Sequence, residues 1–396
     1  MLMRTLLGAA GSASVAASNM IVALIVMRGE SESIYGFYSF YVIFLAFFGA
    51  VSNSLFSTAL LYIESSKGKT EVAALNVYFC ALSGLLFLFG ASWFLQGFYD
   101  SLIIAIHALV YLIRWYLRYY KQTELKSNLV VISDLLYGLS LTLLCVCWYI
   151  YGYTYLSTVL IGMVVCLAIS IFPIFDKMSF SFGYGFWPFK DYMVAFKSRV
   201  RFSLPGVLFN EVISNGHVYV IFLVLGAASY APVAAVMLLY RPVNIVFQTM
   251  FQIERPRMRS RMKLDGHIGA WYVGKLVGLG LSALIVNSLI IVLVMTSFRD
   301  ELPALEGSNV EILIFVFLIY NFIRLIRNPL WIFLQSIDAF KFTYQLSGSV
   351  AAIYVLIMGG VLVSDVFPVV YVVPVAEFVL TLFALVKVLK YRNVYL

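Results

Sequence analysis

Apolar residues fill long stretches of the chain, and short polar segments separate those stretches. About 20 helical residues cross the roughly 30 Å core of a bilayer, so each stretch is long enough to span a membrane. The stretches are apolar on every face, which favours helices over the alternating strands of a barrel. Twelve spans are predicted, with approximate limits 6–27, 37–62, 72–96, 101–120, 128–150, 154–175, 200–225, 230–252, 269–297, 311–336, 342–363 and 366–389.

The overall composition supports the same interpretation. Of 396 residues, 63% are hydrophobic and only 12% are charged, and the mean hydropathy is +0.96. These values exclude an ordinary soluble protein and predict an all-α polytopic membrane protein. The apolar run after Arg4 resembles a signal peptide, but it continues to Met27 without an obvious cleavage site, so it is predicted to be the first span.

Basic residues are distributed unevenly between the two sides of the predicted membrane. If the N-terminus is cytoplasmic, 19 of the 27 basic residues lie in inside loops or adjoining span ends, and only Arg28 and Arg299 lie outside. The positive-inside rule therefore predicts that both termini are cytoplasmic. The net charge of +8 comes mostly from inside loops that face an anionic leaflet, so the expected partners include membrane lipids and no nucleic acid.

A long inside connection divides the chain into two halves with six spans each. The predicted domains are an N-terminal six-helix lobe at 1–175, a cytoplasmic interfacial linker at 176–199 and a C-terminal six-helix lobe at 200–396. Ser18-Asn19 in the first span aligns with Ser214-Asn215 in the seventh. Six crossings return the chain to its starting side, so the halves are predicted to be parallel repeats with a functional cavity between them.

Six basic residues remain within the spans, and they are the strongest candidates for function. They are Arg114 and Arg118 in the fourth span, Arg241 in the eighth, Lys275 in the ninth, and Arg324 and Arg327 in the tenth. A deeply placed Arg costs at least a few kcal/mol unless it faces water, an acid or an anionic ligand. Guanidinium forks suit phosphate oxygens, so four converging Arg side chains predict a site for a phosphate or diphosphate headgroup.

Several of these residues also have a structural explanation. Arg118 is close enough to the cytoplasmic end of its span for its side chain to reach water. Arg241 and Lys275 suit either a cavity charge or an ion pair between helices. Asn19 and Asn215 suit contact with a polar ligand or with another helix.

Three acids, Asp134, Glu211 and Glu377, also lie within predicted spans. The simplest role of such an acid is to pair with an intramembrane Arg. A protonatable acid in a transporter cavity is also suited to H⁺ or Na⁺ coupling, and Glu211 is the main candidate for this role, with Asp134 as the second. No other cofactor is predicted.

The chain resembles the polysaccharide-flippase branch of the multidrug/oligosaccharidyl-lipid/polysaccharide (MOP) exporter superfamily. The residues that carry the resemblance are Arg201-Phe202-Ser203-Leu204-Pro205-Gly206, Val224 to Pro232 and, in the first half, Met27-Arg28-Gly29 to Tyr38. The resemblance implies a MOP/MATE-like fold with two lobes, and flipping of undecaprenyl-diphosphate-linked oligosaccharide to the outer leaflet of a bacterial inner membrane. It also implies a polysaccharide-export pathway, with other polysaccharide-assembly proteins as partners.

Two other functions are compatible with parts of the sequence. A multidrug or cation antiporter of the same superfamily would have an acid-lined cavity, and the surplus of intramembrane Arg argues against it. The other alternative is a membrane-embedded polysaccharide polymerase or acyltransferase. Polymerases of this kind tend to have a large outside loop, whereas the longest one here, 298–310, is short and acidic. No zinc-protease, nucleotide-binding or serine-hydrolase motif is present, so a transporter is predicted in preference to an enzyme.

Overall fold

The computed structural model describes most of the chain. The described residues are 2–60, 63, 65–95, 97–124, 126–175, 189–265, 267–268, 270–299, 302–305, 309–337, 339–361 and 366–395. The predicted linker at 176–199 and the outside loop at 298–310 are therefore described only in part, because 176–188, 300–301 and 306–308 lie outside the described residues.

The described part of the chain is helical and contains no strand, which confirms the all-α prediction. Before residue 200 the helices are α1 (Leu2–Gly29), α2 (Glu32–Ser52), α3 (Ser66–Leu95), α4 (Phe98–Thr123), α5 (Ser127–Tyr151), α6 (Leu156–Ile171) and the short α7 (Lys190–Ala195). After it they are α8 (Arg201–Val220), α9 (Ala227–Leu239), α10 (Arg241–Asp265), α11 (Ala270–Ser297), α12 (Val310–Ser336), α13 (Phe340–Val361) and α14 (Val366–Tyr395). Every predicted span coincides with one of these helices or, for the eighth span, with the pair α9 and α10.

Nine helical segments among the described residues are long and apolar enough to cross a bilayer, and α9 with the first part of α10 forms a tenth that bends by 53°. The bend lies at Tyr240, and Pro242 follows it in the first turn of α10. Proline has no backbone N–H to donate, so it is tolerated in the first turn of a helix and favours a new start there. This bend places the predicted eighth span on two helices.

The chain folds into two compact units. Unit 1 comprises Met1–Glu30 and Tyr41–Leu208, and unit 2 comprises Ser31–Phe40 and Phe209–Leu396. Each is described separately below. The predicted lobe boundaries at 175 and 200 stay a prediction.

In unit 1, α1 packs closely along α5 because small residues face each other. A Cβ atom on Gly138 would lie 2.0 Å from the Ser14 Oγ, and one on Gly11 would lie 3.1 Å from the Asp134 Cβ. Small side chains allow membrane helices to approach closely, since the association gains from packing and not from the exclusion of water. The close approach brings the acid of α5 next to α1.

In unit 2, residues 31–40 at the start of α2 pack against the segment that follows α8. The Phe40 ring stacks on the Phe222 ring with centroids 3.8 Å apart, and a Cβ on Gly36 would lie 2.0 Å from the Ala227 carbonyl oxygen. Gly226, with φ of +91°, joins the π-helical turn Ile221–Leu225 to α9, a conformation that glycine adopts without strain.

Candidate functional site

Arg114 and Arg118 form a buried ion triad with Asp134 in unit 1. Their spacing of four residues places both on one face of α4, and Asp134 on α5 lies opposite them. The Arg114 Nη2 lies 2.8 Å from one carboxylate oxygen, and the Arg118 Nη2 lies 2.6 Å from the other. Arg114 and Asp134 are 3% and 2% exposed, and Arg118 is 15% exposed. One acid thus neutralises one of two positive charges at a site enclosed by protein.

Polar neighbours occupy the rest of the Arg114 guanidinium. Its Nε donates a hydrogen bond to the Ser170 Oγ of α6 at 2.7 Å, and its Cζ lies 4.9 Å from the centroid of the Tyr137 ring. The Tyr137 hydroxyl in turn donates to the Asn19 Oδ1 of α1 at 2.9 Å. The triad and its neighbours therefore connect α1, α4, α5 and α6, and Asn19 makes a contact between helices.

In unit 2, Arg327 pairs with an acid from the last helix. The Arg327 Nη1 lies 2.7 Å from a carboxylate oxygen of Glu377 on α14, and the Glu377 side chain is fully buried. The two groups are close without being aligned as a hydrogen bond, and within the described residues both Glu377 oxygens and the Arg327 Nε lack hydrogen-bond partners. The pair neutralises charge but leaves much of its hydrogen-bonding capacity unused.

Arg324 lies one turn from Arg327 on α12 and is held by neutral groups. Its Nη1 donates to the Asn244 Oδ1 of α10 at 2.6 Å, and its Cζ lies 5.2 Å from the Tyr320 ring centroid and 6.0 Å from the Phe247 ring centroid. Among the described residues, no carboxylate lies within salt-bridge distance of Arg324, and its buried Nε has no acceptor. Arg324 therefore carries a positive charge without a protein counter-ion in this part of the structure.

Glu211 belongs to a ladder of polar side chains on one face of α8. The Asn215 Nδ2 donates to the Glu211 Oε1 at 3.0 Å, and the Tyr219 hydroxyl donates to the same oxygen at 2.5 Å. These residues are four and eight positions beyond Glu211, which is the spacing of one helix face. Both partners are neutral, so Glu211 is not ion-paired within the described residues.

The two remaining predicted basic residues differ in exposure. Lys275 is exposed in the second turn of α11, and Arg241 is partly buried at the start of α10, directly after the 53° bend. Across the described residues, no group of three or more His, Cys, Asp or Glu side chains is arranged to hold a metal ion.

Sequence reasoning missed the neutral residues that surround each charge. Asn244, Tyr137 and Ser170 contact Arg324 or Arg114 directly. A polar residue inside an apolar span is a signal for such a role, but neutral residues of this kind also occur at ordinary helix contacts.

The fold is similar to that of solved transporters. An inward-facing multidrug resistance MATE family transporter of the MOP superfamily matches with a TM-score of 0.61 and 11% identity over 95% of each chain. An outward-facing transporter of that family matches with 0.61 and 13% over 99% of this chain and 96% of the other. A MOP superfamily transporter from Pyrococcus furiosus, whose structure is described as showing reverse polarity of its binding pocket, matches with 0.56 and 13% over 99% and 95%.

These matches confirm the predicted MATE-like fold, and at such identities they show the fold alone. No protein-family profile matches the sequence. No curated protein matches it either.

Proposed function

We propose that the chain is a membrane transporter that flips undecaprenyl-diphosphate-linked oligosaccharide from the cytoplasmic to the outer leaflet of a bacterial inner membrane by alternating access. Two findings support transport. The described residues include nine helical segments that are long and apolar enough to cross a bilayer, and the fold is similar to that of MOP transporters solved in inward-facing and outward-facing conformations. The sequence resemblance to the polysaccharide-flippase branch supports this class of substrate.

The surroundings of Arg324 are the observation that carries the proposal. A charge near the middle of a membrane helix is costly, and protein groups offset the charge of Arg114 and Arg327 but not that of Arg324. The guanidinium has several donors in a fixed plane, and Asn244 uses one of them. A phosphate oxygen can accept the others without breaking an ion pair. The faces of Tyr320 and Phe247 restrict water around the cation, which strengthens its attraction to an anion.

Within this proposal the predicted ligands divide into two groups. Arg324 is the main headgroup contact, with Arg327 and Arg241 as secondary contacts in unit 2. Arg114, Arg118 and Asn19 are assigned to helix packing, because their polar atoms contact protein partners. Lys275 and Asn215 are not needed for the headgroup, since Lys275 is exposed and Asn215 donates to Glu211.

The experiment that tests the proposal measures the affinity of purified protein for undecaprenyl diphosphate and the flipping of a lipid-linked oligosaccharide in proteoliposomes. We expect Arg324→Ala to weaken binding about 10- to 100-fold, the range expected for lost hydrogen bonds to a charged group, and to abolish flipping. Arg324→Lys should keep part of the binding, because it retains the charge but loses the fork.

The matched control is Arg28→Ala, which removes an exposed Arg at the end of α1. It should bind and flip like wild type. Equal affinity of the Arg324→Ala and Arg28→Ala variants for undecaprenyl diphosphate would contradict the assignment of Arg324 to the headgroup.

A multidrug or cation antiporter is the second candidate, and the state of Glu211 favours it. A membrane acid held only by neutral donors can take up a proton or a sodium ion without breaking an ion pair. In the flippase the same acid would couple transport to an ion gradient. The two functions differ in cargo, so gradient-driven uptake of an organic cation that is unaffected by Arg324→Ala would favour the antiporter.

The coupling role has its own test. Glu211→Gln keeps the shape of the side chain and one acceptor, but it cannot take up a proton and lacks the negative charge that attracts a cation. We expect this variant to bind undecaprenyl diphosphate normally and to lose the acceleration of flipping that a proton or sodium gradient produces in wild type. A Gln variant that responds to the gradient at the wild-type rate would exclude Glu211 from coupling.

A further inference from the structure

The second half of α10 is unlike the rest of the predicted spans. The apolar part of the bent span ends at Phe247, but the helix continues to Asp265. This extension contains five basic residues at every second position, Arg255, Arg257, Arg259, Arg261 and Lys263. The proposed transport mechanism does not use these five residues.

Contacts with α11 fix the depth of this extension relative to the membrane. Tyr272 lies in the first turn of α11, where a segment that is long and apolar enough to cross a bilayer begins at Trp271. Its hydroxyl donates a hydrogen bond to Glu254, and the Arg261 Cζ lies 4.7 Å from the centroid of its ring. The basic extension therefore lies at the level where α11 enters the bilayer, which is the depth of the lipid headgroups.

The extension is anchored on one side and open on the other. Met258 is fully buried, and it belongs to an apolar cluster that includes Leu276 and Phe333. A helix places Arg257, Ser260, Arg261 and Leu264 on a different face, and all four are exposed. The exposed face thus combines two guanidiniums, a hydroxyl and an apolar side chain.

Two large apolar side chains next to the cations are open to their surroundings. Leu264 is 81% exposed and Trp271 is 65% exposed. An isolated basic helix would suit a nucleic acid or an acidic protein, but neither partner offers an apolar phase for Leu264 and Trp271. Trp is enriched where a membrane meets water, and basic residues beside a membrane span attract anionic lipids.

We propose that Arg257, Ser260 and Arg261 form a binding site for the phosphate of an anionic phospholipid of the surrounding bilayer, with Leu264 and Trp271 in contact with its acyl chains. Glu254 orients the site: its carboxylate lies 2.8 Å from the Arg257 Nη1 and also accepts the Tyr272 hydroxyl. The remaining donors of Arg257 point to a bidentate contact with phosphate. The site is separate from the headgroup contact at Arg324 and does not rest on the proposed substrate.

Native mass spectrometry of the purified protein with phosphatidylglycerol or phosphatidylcholine tests the site. We expect wild type to retain phosphatidylglycerol in preference to phosphatidylcholine. Arg257→Gln combined with Arg261→Gln should weaken phosphatidylglycerol binding on the order of 10- to 30-fold, given the contribution of each basic residue near an anionic surface. Arg257→Lys with Arg261→Lys should retain part of the binding, because Lys keeps the charge but loses the bidentate contact.

The control pair is Lys67→Gln with Lys126→Gln, which removes the same charge from exposed positions in unit 1. An equal loss in the control pair, or unchanged binding in the Gln variant of Arg257 and Arg261, would overturn the proposal. Displacement of the phosphatidylglycerol by equimolar undecaprenyl diphosphate would also overturn it, because the patch would then belong to the substrate. An unchanged unfolding temperature of the lipid-free variants confirms that the loss is local.

Discussion

The arginine pairs of α4 and α12 have almost the same sequence pattern and different surroundings. In unit 1, both Arg114 and Arg118 contact Asp134, and the Arg114 Nε is hydrogen-bonded as well. In unit 2, Arg327 has an acid partner and Arg324 has an amide, and several buried donors and acceptors are unused in the described residues. Two Arg residues one helical turn apart thus have different roles. In unit 1 their polar atoms are paired with protein groups and hold helices together, whereas in unit 2 they form a cationic site in which buried hydrogen-bonding atoms have no partner in the described residues.

This difference indicates where binding energy is available. A hydrogen bond to a ligand contributes little free energy of binding when it replaces a hydrogen bond already made within the protein. A buried polar group without a partner, in contrast, recovers its desolvation cost when a ligand binds to it. Of the four guanidiniums, those of Arg324 and Arg327 in unit 2 have a buried Nε without an acceptor in the described residues, so we expect anion binding there and a structural role for the unit 1 triad.

The largest effect is expected from removal of the shared acid in unit 1. Asp134→Ala leaves the buried Arg114 and the partly buried Arg118 without their counter-ion, and breaking a buried ion pair in this way costs about 3–5 kcal/mol. We expect the variant to lose abundance in the membrane and to unfold at a much lower temperature in detergent. Adding Arg114→Met to Asp134→Leu should recover part of the loss, since one unpaired cation is removed. An Asp134→Ala protein of normal stability that no longer transports would instead make Asp134 a functional acid.

Removal of Arg327 should have the second largest effect on stability. Arg327→Met leaves the fully buried Glu377 without a cation, although that carboxyl can neutralise itself by binding a proton. We therefore expect a destabilisation of about 2–4 kcal/mol, which Arg327→Met combined with Glu377→Leu should largely reverse. Unfolding temperatures of the single and double variants measure this coupling. Additive effects would show that the two side chains do not depend on each other.

Arg324 should behave in the opposite way to Arg327, one turn away. Arg324→Met removes a partly buried cation that has no acid partner among the described residues, so we expect a change in stability below about 1 kcal/mol. Binding of undecaprenyl diphosphate should nevertheless fall, as proposed above. The ratio of lost binding to lost stability should be highest for Arg324 among the four Arg residues. A fall in abundance as large as that of Arg327→Met would assign Arg324 to packing.

The sequence was sufficient to predict the spans and their charges, but not the partners of those charges. Long apolar runs are required by the bilayer, so all twelve predicted spans correspond to helices. Pairing depends on which helices pack together. The acid for α4 comes from the next helix, α5, whereas the acid for α12 comes from α14, two helices later. An exact internal repeat would have placed the two acids at equivalent positions, but Asp134 and Glu377 lie on helices that are not equivalent.

Glu211 illustrates the same limit. The sequence left an ion pair and a coupling role equally open for this acid, because both need only a carboxylate within a span. The helical spacing of Asn215 and Tyr219 was visible in the sequence, but their selection as partners depends on side-chain direction. The phosphate-binding and coupling roles stay predictions until they are measured.

The smallest effect is expected at a second cluster with the same charges as the triad but a less buried acid: Glu124 is 20% exposed and Lys126 is 53% exposed, while Lys121 is 4% exposed. Lys121 and Lys126 lie 3.2 Å and 3.1 Å from the Glu124 carboxylate at the end of α4, so this cluster also has two bases and one acid. Partial burial raises the pKa of Glu124, but hydrogen bonds from Lys126 and Lys121 outweigh burial and bring the pKa below its ordinary value of 4.5. A lowered pKa in the folded state stabilises the protein above the unfolded pKa, and the stabilisation disappears as the pH falls through the folded pKa.

Glu124→Gln should therefore lower the stability at pH 7 by less than about 1 kcal/mol, because Glu124 and Lys126 are partly exposed and the Gln carbonyl can still accept a hydrogen bond from Lys121. The difference from wild type should shrink as the pH falls below 4.5. Unfolding temperatures of both proteins at pH 7 and at progressively lower pH measure this change. Asp134 and Glu124 each pair with two bases on or beside α4. A similar loss of stability in the two variants would show that the burial of the acid does not determine its contribution. The contrast between satisfied and unsatisfied charges would then lose its physical basis.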